Sequence, residues 1–75
     1  TFRDLVGLLG QSASVYLSQA SQRLENRAEL LDMARMHVDL LAIVKQKTRG
    51  NLKPDEQALL DDALYQLRMA FVQQG

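Results

Sequence analysis

The sequence predicts an all-α domain: a three-helix antiparallel bundle or hairpin-like arrangement, completed by oligomerisation. Three observations carry that expectation. Apolar residues recur at steps of three and four along three segments, two clear interruptions separate those segments, and no run alternates apolar with polar residues over the length of a strand. The 75 residues are read as one helical domain over 1–75, preceded by a flexible amino-terminal extension. A hydrophobic fraction of 47% beside 24% charged residues is the make-up of a folded chain, because disorder needs low hydrophobicity and usually an excess of one charge.

The first helix is expected over residues 2–21, where Phe2, Leu5, Leu9, Ala13, Tyr16 and Ala20 form one stripe. Thr1 is placed to cap it, and Asp4 lies where the helix dipole favours a carboxylate. Residues 21–27 hold a single apolar side chain, Leu24, and read as a polar connection. The second helix is expected over 28–47. Leu31, Ala34, Val38 and Leu41 form its main stripe, flanked by Leu30, Met33, Leu40 and Val44. Gly50 and Asn51 favour the left-handed backbone that closes a helix, and Lys45, Lys47 and Arg49 suit the negative end of its dipole. The third helix is expected over 54–73, opened by Pro54 with Asp55 and Glu56 in its first turn. It carries two stripes: Leu60, Leu64, Leu67 and Phe71, then Ala58, Tyr65, Met69 and Val72.

That second stripe is the basis for expecting assembly. A three-helix monomer needs one apolar face of about 100° on each helix, whereas the second and third helices carry roughly twice that width. A chain of this size buries only about 60% of its unfolded surface, and such a core supplies roughly 3–5 kcal/mol. An uncovered stripe marks an interaction site, and self-association with two-fold symmetry is the simplest cover. The expected partner is therefore a second copy, with a dimer favoured and Leu40, Val44, Tyr65, Met69 and Val72 at the interface. Two alternatives use the same chain differently: an adaptor that docks a partner's amphipathic helix on the outer stripe, and anion or nucleic-acid contact through Lys45, Lys47, Arg49 and Lys53. Nine basic residues balance nine acidic ones, so nucleic acid meets no overall attraction, and no aromatic residue stands among the basic ones to stack on a base.

Catalysis is not expected. His37 is the single histidine, and no second histidine, cysteine or suitably spaced carboxylate accompanies it, so an interfacial or helix-packing role is assigned to it and no metal or cofactor is expected. Asp61 and Asp62 are neighbours, about 100° apart on a helix, and unsuited to paired acid and base work. Asp32, Arg35 and Asp39 read as a surface ion-pair ladder, and no glycine-rich phosphate loop is present. Gly7, Gly10, Ser14, Ser18 and Ser21 share one face of the first helix, open either to solvent or to close approach by another helix. The lack of cysteine points to a reducing, cytoplasmic setting. The longest apolar run, residues 40–44, is far below the roughly 20 residues of a membrane span.

Three segments, Val38-Asp39-Leu40-Leu41, Lys47-Thr48-Arg49-Gly50-Asn51-Leu52 and Leu64-Tyr65-Gln66-Leu67-Arg68-Met69, resemble a family of small bacterial all-helical proteins catalogued as a domain of unknown function. The resemblance extends over essentially the whole chain. It implies a cytoplasmic helical domain, often behind a flexible polar extension, and brings no activity, cofactor or catalytic residue. The family commonly carries Thr or Ser just before the third helix; Lys53 stands here, which makes Asn51 an alternative cap.

Overall fold

A computed structural model of the chain describes residues 1–74. Its elements are α1 (Phe2–Gln22), α2 (Arg27–Lys47) and α3 (Pro54–Gln74), with no strand among the described residues. Each boundary lies within one residue of the expected one.

Local chemistry explains each boundary. At the start of α1, Thr1 Oγ1 accepts the Asp4 N–H at 3.3 Å while Asp4 Oδ2 accepts from the Thr1 nitrogen at 2.9 Å, a reciprocal capping box. At the end of α2, Thr48 turns back on the helix: its N–H and its hydroxyl both donate to the Val44 carbonyl, at 3.0 and 2.6 Å. Gly50 follows with φ +82°, a conformation that a Cβ would oppose, and the Asn51 N–H closes the turn on the Thr48 carbonyl at 2.9 Å. Asn51 does not cap α3. Lys53 holds that position with its backbone alone, because its carbonyl accepts the Gln57 N–H and its own N–H donates to Glu56 Oε1, both at 2.9 Å. The carboxylate three residues into the helix supplies half of a capping box, so the hydroxyl that Lys53 lacks is not needed to set the start.

Four residues join α1 to α2 and six join α2 to α3, too few to run back along rods of about 30 Å. Consecutive helices are therefore antiparallel. Contacts between α2 and α3 bear this out: Lys45 meets Asp61, and ten residues earlier in α2 Arg35 meets Phe71, ten residues later in α3. The bundle measures 42 × 19 × 15 Å, with a radius of gyration of 12.8 Å, against about 11 Å for a compact chain of this length. It is a short rod. Its closest packing is between α1 and α2, and α2 and α3 share the least contact.

The core is apolar throughout. Val6, Ala13 and Leu17 of α1 meet Ala34, Val38 and Leu41 of α2 and Leu60, Leu64 and Leu67 of α3, with Phe2, Leu9, Tyr16, Leu31, Val44 and Phe71 packed around them. The inner stripes of α2 and α3 coincide with those read from the sequence. On α1 the face is rotated: Val6 and Leu17 are buried, whereas Leu5, assigned to the inner stripe, is 43% exposed. The correction has a simple cause. Nearly every position of α1 from Phe2 to Leu9 that is not Arg3, Asp4 or Gly7 is apolar, so periodicity alone admits two faces, and contact with both other helices selects the one centred on Val6 and Ala13.

Candidate interaction surface

The outward faces of the rod are where the chain departs from an ordinary small domain. On α2 the exposed large apolar residues are Met33, Met36, Leu40 and Ile43, and on α3 they are Tyr65, Met69 and Val72. They keep the three-and-four spacing of a coiled-coil stripe. Leu40 is 38% exposed, Met69 45% and Val72 72%, so the subunit does not hide them. Of the five residues expected at an interface, Leu40, Tyr65, Met69 and Val72 stand on open surface, while Val44 is half-buried and packs against the core. Met36 and Ile43 were not singled out in the sequence, because reading outward from the core stripe reached its flanks and stopped short of the face opposite. Leu8 and Val15, which the sequence reading passed over, form a smaller exposed row on α1 with Leu5.

Between α2 and α3 lies an apolar cleft of about 320 Å³, lined by Arg35, Val38, Arg68, Phe71 and Val72. It exists because these two helices touch least. The Arg35 guanidinium lies on one side, 5.2 Å from the centre of the Phe71 ring, a cation–π contact.

The basic turn is partly neutralised from within. Lys45 Nζ is 2.8 Å from Asp61 Oδ1, and Gln57 Nε2 donates to the same oxygen at 3.1 Å. The Lys45 ammonium holds the Asp61 carboxyl below its ordinary value of 3.8, with desolvation opposing and Gln57 assisting. Lys47 and Arg49 are exposed at the end of α2 and Lys53 is exposed before α3, so three of the four basic residues face solvent around the acidic first turn of α3.

His37 Nδ1 lies 2.8 Å from the Met33 carbonyl, one turn back in its own helix, and its ring tilts against Tyr16 with 5.3 Å between centres. The first contact lies within α2, and the second joins α2 to α1. Among the described residues no group of three or more His, Cys, Asp or Glu side chains converges on a metal-sized site, and no helix is long and apolar enough to cross a membrane. On the small-residue face of α1, a Cβ built on Gly7 or Gly10 meets nothing within 4 Å.

The family model described as a domain of unknown function, DUF1844, matches residues 1–73. The chain belongs to this family. DUF1844 is thus represented here by an all-helical three-rod unit whose core is complete and whose outer apolar stripes are not covered. Neither the curated proteins nor the solved structures give a match.

Proposed function

We propose that this DUF1844 domain is a non-enzymatic helical module that assembles with copies of itself through the outer stripes of α2 and α3. The observation that carries the reading is the persistence of Met33, Met36, Leu40 and Ile43 on α2, and Tyr65, Met69 and Val72 on α3, as exposed apolar rows after the core is filled. Continuous apolar rows in water favour association, and a domain of this length has little stability of its own to spare. A dimer is the favoured state and the cytoplasm the proposed setting.

Sedimentation equilibrium at micromolar concentration tests the proposal. The native chain should give at least twice 8.5 kDa, and a chain with both Leu40→Lys and Met69→Lys should give 8.5 kDa with its helical circular dichroism retained. A native chain that stays at the single-chain mass overturns the reading. In that event the cleft lined by Arg35, Val38, Arg68, Phe71 and Val72 favours the adaptor reading. An apolar side chain with an acidic neighbour, presented on a partner's helix, fits a cleft of that make-up.

A further inference from the structure

The two exposed stripes differ in a property that decides which of them can join two copies symmetrically. At 100° per residue, Glu29, Met33, Met36, Leu40, Ile43 and Lys47 fall within a band of about 80° on α2, roughly 150° from the face that carries Ala34, Val38 and Leu41 into the core. The burial pattern agrees, since Glu29, Met33, Met36, Leu40, Ile43 and Lys47 are all exposed. Pairing this stripe with itself, antiparallel, about a two-fold axis level with position 38 sends each residue to the one equally far on the other side. Met36 then meets Leu40 of the second copy, Met33 meets Ile43, and Glu29 meets Lys47. Every apolar residue of the stripe finds an apolar partner, and both ends are closed by opposite charges.

The same operation gives a shorter seam elsewhere. On α3, setting Tyr65 against Met69 brings the Asp62 carboxylate opposite Val72, which buries a charge against a hydrocarbon. On α1 the exposed Leu5, Leu8 and Val15 are accompanied by Gln11 and Ser12, three apolar residues against the four of α2. Isologous contact demands a surface complementary to itself, and α2 supplies the longest such row, with matched charges at both ends.

We infer that a second copy of this chain docks on α2, antiparallel and two-fold, with Met33, Met36, Leu40 and Ile43 as the seam and Glu29–Lys47 pairs at its two ends. This rests on the self-assembly proposed above and specifies its geometry. α3 then keeps its stripe free for contacts beyond the dimer. The unfavourable feature of the seam is Asp39, which flanks the axis in both copies and places two carboxylates on the same side.

Charge exchange tests the geometry, with dissociation constants from sedimentation equilibrium and helix content from circular dichroism. Glu29→Lys and Lys47→Glu should each weaken the dimer by about three- to thirtyfold, since each turns two attractive pairs into repulsive ones. The chain carrying both exchanges restores the pairs and should return to within about threefold of the native value. A helix-dipole effect alone would make the double exchange worse than either single one, which separates pairing from folding. Leu40→Lys should abolish the dimer, Met69→Lys should leave it, and Asp39→Asn should tighten it. A dimer unmoved by either single charge exchange, or not rescued by the double one, overturns the α2 seam, as does a dimer that survives Leu40→Lys and dissociates with Met69→Lys. Those outcomes leave the broader self-assembly reading standing. A native chain that never exceeds 8.5 kDa overturns both.

Discussion

The inner and outer faces of α2 are made of the same kinds of residue and meet opposite fates. Leu41 and Leu40 are neighbours in sequence, yet Leu41 is fully buried while Leu40 is 38% exposed. The inner face joins Ala34 and Val38 to α1 and α3; the outer face aligns Met33, Met36, Leu40 and Ile43 in a row that stays open to solvent. The contrast teaches that hydrophobic content does not decide burial in so small a domain. Three rods provide three inward faces, and apolar residues beyond those faces must wait for another molecule. Methionine at two of the four outer positions fits such a surface, because its flexible thioether adapts to a partner in a way that the branched side chains of the core do not.

Truncation on each side of α2 should expose this contrast most sharply. Leu41→Ala leaves a cavity in the apolar core, where Leu41 is fully buried, and should cost about 3 kcal/mol, enough to unfold much of the population; urea unfolding at low protein concentration measures it. Leu40→Ala, one residue away, should cost under about 0.5 kcal/mol in the dissociated chain and act on association instead. Equal losses at the two positions would dissolve the distinction between the faces. Smaller and opposite in sign, Gly7→Ala should stabilise the chain by about 0.5–1 kcal/mol, because alanine is the better helix former and its methyl meets nothing within 4 Å. A loss there would mean that another helix approaches that face.

The weakest effect concerns the Lys45–Asp61 pair. Because Lys45 holds the folded Asp61 carboxyl below its ordinary value, its contribution is present above the unfolded value of about 4 and disappears as pH falls through the lower folded value. Asp61→Asn should therefore lower the urea midpoint slightly at pH 7 and leave no difference from the parent near pH 2. The pair is exposed and screened by salt, so 1 M NaCl should shrink the difference at pH 7 as well.

The helices and the inner faces of α2 and α3 were legible in the sequence for a physical reason: Gly50, Pro54 and the polar stretch around Glu25 punctuate the chain, and a clean 3.6-residue period survives between them. The inner face of α1 was not, since Leu5, Val6, Leu8 and Leu9 crowd the first turns and only tertiary contact chooses Val6 over Leu5. Capping was half legible. Thr1 and Asp4 follow the usual pattern, whereas Lys53 has no capping side chain and the signal lay three residues later in Glu56. At the outer surface, Leu40, Tyr65, Met69 and Val72 could be read as surplus apolar positions. Val44 could not be separated from them, because a flank residue is buried or open according to how close the next helix comes, a distance that periodicity does not contain. The ion pair between Lys45 and Asp61 was equally hidden, since it depends on the register of α2 against α3.

The most direct test of the account uses the absence of cysteine from the chain. Met36→Cys and Leu40→Cys chains, tagged to differ in mass, are mixed and mildly oxidised. The α2 seam predicts that the covalent dimer joining position 36 to position 40 dominates over either self-linked species. No covalent dimer, or self-linked dimers in equal yield, would contradict it.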